Sequence, residues 1–520
     1  AWDSHPEIPE VTVHALRRAD GARLRLGQSP RNNLCVSLFI QMIDLNTIVF
    51  VAYLLGILAL GLVLRRRGRT GGEFFLAGRS MPWFPLGVSV MVTAFSAINM
   101  VAFPGEVFGF GLYVTASLPV FVLVAIPVTR VVIPFFHGMR LTSAYEYLER
   151  RFDVRVRLLG SGFFVLWRLA WMATVLFATA KFLSAVGGIG ITTAIVATGA
   201  VAAIYSAAGG MRAVMWTDVA QFFVLFGGIV AALATTALRA PGGLAGVMER
   251  VMAAGRLMPY SPFDAGFLSP DPTLRITLWS GLIGSFVIFA ARYVADQTVV
   301  QRYFTARSLR DARRGFWWNV VCVLLALTLL VMLGLAAYAH ADLSGKPPGA
   351  LPPVGHIARL FRSLPAGIGG LVVAGLAAAT MSSIDSGSNA CWAAFTTDVV
   401  DRLKGRRPDE HSPLDARLGR VLTLSFGVAS IVLALVVGVT IGRDQTVFGL
   451  VNRVIHGLGS PLLALMALGM FSRRVNATGV FWGGLAGIVF SLFTVSAIEP
   501  LALHYYAVVN LIGTVIACYV

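Results

Sequence analysis

Apolar windows about twenty residues long recur along nearly the whole of this 520-residue chain. Each can cross a hydrocarbon core about 30 Å thick at about 1.5 Å per helical residue. Inside a bilayer every backbone N–H and C=O must find a partner in the protein, and a helix satisfies them within one segment. Thirteen windows are predicted as helices: 46–64, 83–108, 113–135, 158–187, 190–209, 213–236, 274–295, 316–338, 367–396, 420–441, 446–470, 478–497 and 501–520. Composition agrees, with 57% hydrophobic and 13% charged residues where a soluble globule carries roughly a quarter charged. The chain reads as an all-α polytopic membrane protein.

An odd number of spans puts the termini on opposite sides, and the Lys/Arg bias of the loops orients them. One set of loops holds 24 Lys and Arg, among them Arg65, Arg66, Arg67, Arg155, Arg157, Arg302 and Arg313, against seven in the opposite set. The first set is expected in the cytoplasm of a cell with the protein in its plasma (inner) membrane, the N-terminus outside and the C-terminus cytoplasmic. Residues 1–41 break the rule, because they carry Arg17, Arg18, Arg23, Arg25 and Arg31. The working chain is therefore expected to start at Met42, with 1–41 a non-native arm, and Val520, which ends a helix without a polar tail, has the form of a cut end.

Net charge is +17, but the basic residues lie in short loops with no aromatic interleaving, so nucleic acid is not an expected partner. Cys35, Cys322, Cys391 and Cys518 form no CxxC pair and read as buried thiols rather than a metal cluster or disulfide framework. His340, His356 and His456 stand in no nucleophile or metal constellation, which argues against an enzyme.

The polar residues inside the windows carry the functional signal, since an ionised side chain at mid-bilayer costs on the order of 2.5–3.5 kcal/mol even on the mildest scale. In "GLAAATMSSIDSGSNACW", Ala379, Ser382, Ser383 and Ser386 fall at i, i+3, i+4 and i+7, one helical face, with Asp385 and Asn389 at its edge. A single serine in such a helix ordinarily bonds back to its own backbone. A row of oxygens with a carboxylate is what a hard alkali cation needs in place of water. Asp218, in "MWTDVAQFF", stands at a depth that permits a shared cation site, or else forms an interfacial salt bridge to Arg212. Arg168, roughly 15 Å into its helix, calls either for a structural ion pair or for an anionic solute. Arg453 and His456 pose the same choice. Pro104 and Gly105 offer a hinge in the second helix.

The stretches "FFLAGRSMPWFPLGVSVMVTAFSAINMVAFPGEVFGFG", "RLTSAYEYLERRFDVRVR", "GGMRAVMWTDVAQFF", "DQTVVQRYFTARSLRDARRG", "MSSIDSGSN" and "GSPLLALMALGMFSRRVNATG" resemble the sodium:solute symporter family. "TSAYEYLERRF" and "MPWFP" are most similar to its monocarboxylate, multivitamin and iodide branch. The resemblance implies a LeuT-like core of two inverted five-helix repeats, here 83–236 and 274–470, with 42–82 and 471–520 outside it. It also implies Na+ as coupling ion and no other cofactor. One sodium site would use the carbonyls of Val92 and Phe95 with oxygens of Ala379, Ser382 and Ser383. A second would join Asp218 to Asp385 and Ser386, where the family often has hydroxyls instead of Asp385, a departure that leaves open an extra cation or a proton. The solute contacts of the family's sugar-carrying members would fall approximately at Ala94, Asn99, Leu118, Asp296 and Arg453.

Ala94 and Leu118 cannot hydrogen-bond a sugar's hydroxyls, whereas Arg453 and Arg168 favour an anion. The expected function is a sodium-coupled symporter importing a small organic anion such as a monocarboxylate. A sodium- or proton-coupled amino-acid or vitamin symporter is the alternative within the class, and a transporter-fold sensor or channel the alternative outside it. Two sodium ions per anion would make the cycle electrogenic; one would not.

Overall fold

A computed structural model describes residues 44–64, 75–139, 141–257, 265–274, 276–345, 349, 351–403, 413–440, 447–497, 501–502 and 504–520, without the side chains of 265, 403, 413–416, 440, 447–458 and 496. Residues 1–41 thus lie outside the described residues. Helix fills most of each of the thirteen predicted windows among the described residues. Among the described residues, eight helices are long and apolar enough to cross a bilayer, or nine if the bent pair around Asp296 is one span.

The helices differ in how they meet their surroundings. In the segment Ile368–Val400, 89% of the most apolar window is buried in protein, against 17% in Leu45–Leu64 and 22% in Arg417–Val439. The serine-rich helix is therefore central, and its polar side chains face protein rather than lipid. The long helix Ile191–Arg239 packs most extensively against it. That long helix is kinked at Gly210 (φ 63°, ψ −169°), a conformation other residues rarely adopt, which separates the two predicted windows 190–209 and 213–236 as two helices.

Two helices are broken in mid-course. The first runs Trp83–Ala94, turns extended at Phe95 (φ −101°, ψ 110°) and Ser96 (φ −96°, ψ 163°), and resumes at Ala97–Phe110. The break precedes Pro104 and Gly105, which lie inside the second segment, so the expected hinge is not where this helix unwinds. The other break is at Asp296 (φ −76°, ψ 112°), between segments bent by 52°. There the Asp296 carboxylate accepts from the Thr298 N–H at 2.9 Å and caps the helix Gln297–Thr305.

Charge clusters where the ends of several helices meet. Arg157 donates from Nε to Asp398 at 2.7 Å and from Nη1 to Glu149 at 2.6 Å, while the Ser143 hydroxyl donates to the other Asp398 oxygen at 2.9 Å. Cys322, Cys391 and Cys518 are buried free thiols; Cys35 lies outside the described residues.

The helix Trp83–Ala94 crosses Leu309–Leu343 at paired glycines. A Cβ on Gly87 would stand 2.3 Å from the Gly315 carbonyl oxygen, and one on Gly315 would stand 2.8 Å from that of Trp83. Gly87→Ala is accordingly expected to cost about 1–3 kcal/mol, read as a lower Tm in detergent. An unchanged Tm would mean that this crossing is looser.

Candidate cation and solute site

The face Ala379, Ser382, Ser383, Ser386 lies against the helix Trp83–Ala94, as the Thr93 and Ser386 hydroxyls hydrogen-bond at 3.0 Å. At its centre the fully buried Asp218 carboxylate collects three donors. The Ser382 hydroxyl donates to Oδ1 at 2.6 Å; the Ser89 hydroxyl at 2.5 Å and Arg302 Nη2 at 3.1 Å both donate to Oδ2. Arg302 is itself fully buried. Its Nε donates to Ser89 Oγ and its Nη2 also to Ser386 Oγ, both at 2.7 Å, and its Nη1 donates to the Thr298 carbonyl. Asp385, likewise buried, accepts from Ser386 at 3.1 Å and from the Tyr205 hydroxyl, which in turn accepts from Gln221 at 3.0 Å.

The two expected cation sets differ in what their oxygens are doing. In the first, the break after Ala94 removes the helical partners that the last carbonyls of the segment, Val92 among them, would otherwise have. Ser383 makes only a 3.2 Å bond back to the Ala379 carbonyl, which a hydroxyl can exchange for another partner. An all-oxygen set of carbonyls and hydroxyls next to a broken helix fits a hard monovalent cation. In the second set, the Asp218 and Ser386 oxygens already accept from a guanidinium.

Beside the first break lies a cavity of about 200 Å3. Its wall includes Ala94, Phe95, Ser96 and Asn99, with apolar side chains such as Phe121 and Phe289 opposite. The arginine on its wall is the partly buried Arg292, which donates to the Ala94 carbonyl and lies 5.8 Å from the centre of the Trp171 ring. The Ser285 hydroxyl and the Trp171 indole N–H, both on the wall, are buried without a hydrogen-bond partner. Glu106 also lines the space.

Of the expected solute residues, Asn99 and Ala94 line this cavity. Arg168 and Asp296 instead meet each other at 3.4 Å as a buried ion pair, and neither lines it. Leu118 does not line it either. The side chains of Arg453 and His456 lie outside the described residues. Asp218 pairs with Arg302, while Arg212 is exposed. Sequence reasoning passed over Arg292, although an arginine inside an apolar window was a visible signal, and counted Arg302 as a loop charge.

Broken helices around a buried polar seam, with a solute-sized cavity at one break, define a helical membrane transporter. The family profile described as "Sodium:solute symporter family" matches residues 74–487, and the chain belongs to that family. It is 30% identical to the sodium/sialic acid symporter NanT of Aliivibrio fischeri, over 91% of this chain and 92% of that protein. It is also 30% identical to the human sodium-coupled monocarboxylate transporter 1, over 86% of this chain and 72% of that one. Among solved structures, a Na+-coupled sialic acid symporter in a substrate-bound outward-open state superposes with a TM-score of 0.82 at 26% identity, covering 92% of this chain and 97% of that one. The fold is thus LeuT-like, and the protein is a sodium-coupled solute symporter rather than an enzyme, with Na+ as its coupling ion.

Removing one partner of a buried pair leaves the other charge uncompensated. Arg168→Met is expected to lower stability by roughly 3–5 kcal/mol, and Arg168→Met with Asp296→Asn, which keeps the helix cap, to recover most of it. If the double variant is no more stable than the single one in thermal unfolding, the pair is not the structural unit described here.

Proposed function

We propose that this symporter imports a small organic anion of the monocarboxylate class. The observation that carries the reading is Arg292, a partly buried cation on the wall of the cavity beside the broken helix. A guanidinium suits a carboxylate because its planar donors can engage both oxygens. The unpartnered Ser285 hydroxyl and Trp171 N–H, with Asn99, supply a few further polar contacts, while the apolar wall suits a short hydrocarbon chain. About 200 Å3 falls below the roughly 300–1,000 Å3 of sites for drug-sized ligands, which favours a solute of few atoms. A similar relative is named for monocarboxylates and another for sialic acid, which is a carboxylate too.

The coupling follows from the backbone. Sodium held by the Val92 and Phe95 carbonyls with Ala379, Ser382 and Ser383 would order the break in the helix. The Ala94 carbonyl at that break receives Arg292, so the ordered break sets the guanidinium for the anion. Ion and anion then raise each other's affinity by the same factor. The segments 83–236 and 274–470 would form the two repeats that move relative to each other, in a plasma membrane with the N-terminus outside.

Glu106 on the cavity wall favours a second reading, a zwitterion whose ammonium lies toward that carboxylate. Thermal unfolding of the purified protein in sodium, potassium and choline, with pyruvate, lactate, acetate, proline, pantothenate, galactose and sialic acid, separates the readings. A ligand at a hundredfold excess over Kd stabilises by about 2.7 kcal/mol. A monocarboxylate that stabilises only in sodium supports the anion reading, and proline alone doing so would replace it with the zwitterion. Arg292→Gln is expected to raise the KM for the anion roughly thirtyfold, equivalent to about 2 kcal/mol; an unchanged KM would remove Arg292 from the site.

A further inference from the structure

We propose that Arg302 is a tethered cation filling the second cation position, so that the transporter binds a single sodium ion. Asp218, Ser386 and Ser89 form a cage of oxygens around one positive centre, and that centre is the guanidinium. Arg302 Nη2 lies 3.1 Å from Asp218 Oδ2 and 2.7 Å from Ser386 Oγ, and Nε lies 2.7 Å from Ser89 Oγ. A metal ion needs oxygen lone pairs directed at an open point. Here those lone pairs receive N–H bonds instead.

The remaining groups at that end of the cage are also engaged. The Ser386 hydroxyl faces Asp385 Oδ1 at 3.1 Å and Thr93 Oγ1 at 3.0 Å, and the other Asp385 oxygen takes the Tyr205 hydroxyl. Side chains of Arg302 and Asp218 are 1% and 0% exposed, so no solvated ion shares the space. The residues that the family resemblance assigns to a second sodium therefore do not fit one in this chain.

The tether has a consequence for motion. Arg302 binds through its side chain to the helices bearing Ser89, Asp218 and Ser386, and to the Thr298 carbonyl in its own. A free ion would leave the cage at each turn of the cycle, whereas a guanidinium stays. One sodium then accompanies one solute, and with a monoanion, on the reading given above, transport moves no net charge.

The test is equilibrium binding of 22Na+ to the purified full chain at saturation. One ion per chain is expected in the wild type, lost in Ser383→Ala. Two ions per chain, or one that survives Ser383→Ala, would overturn the proposal. In Arg302→Ala the vacated oxygens are expected to accept an ion, raising the count toward two. A folded Arg302→Ala that still binds one would show that the guanidinium does not stand in for a cation, and if that variant does not fold, the wild-type count decides alone. Sodium count is independent of which anion is carried, so failure of the anion reading and failure of this one are distinguishable.

Discussion

A carboxylate buried in a bilayer survives only if its charge is met, and Asp218 is met from three helices at once. Ser89 and Ser382 donate to it from the two helices that frame the proposed sodium set, and Arg302 donates from the short helix that follows the second break. Arg302 also bonds Ser89 and Ser386, so the positions of these helices constrain one another. The central burial of the segment Ile368–Val400 follows from the same need, because its row of hydroxyls has no partner in lipid.

The second constraint is backbone geometry. Two helices forgo hydrogen bonds where they break, and in both cases nearby residues answer the loss. At the first break Arg292 takes up the Ala94 carbonyl; at the second, Asp296 caps the resumed helix and pairs with Arg168. The cavity therefore sits where unwound backbone, a guanidinium and a few unpartnered polar groups coincide, which is the chemistry a small carboxylate can use.

Much of this was legible in the sequence, for specific reasons. Apolar length located the helices, and the spacing of Ala379, Ser382, Ser383 and Ser386 located the buried polar face proposed to hold the cation, because both depend only on helical periodicity. Neither break could be placed that way. Phe95 and Ser96 carry no breaker residue, while Pro104, the obvious one, sits inside a continuous helix. Arg302 and Arg157 looked like loop charges because a count of basic residues ignores burial, yet both are buried and paired. Arg168 looked like an anion ligand because its partner, Asp296, is distant in sequence and meets it only in the fold.

The central claim is that oxygens of Ser382 and Ser383, with the broken helix, link sodium to solute movement. It is tested most directly by uptake of a radiolabelled monocarboxylate into proteoliposomes under an imposed sodium gradient, comparing the wild type with the Ser382→Ala/Ser383→Ala variant. The account predicts concentrative uptake that disappears when choline replaces sodium and is lost in the double variant. Uptake that proceeds equally without sodium, or that persists in the variant with its sodium dependence intact, would contradict it.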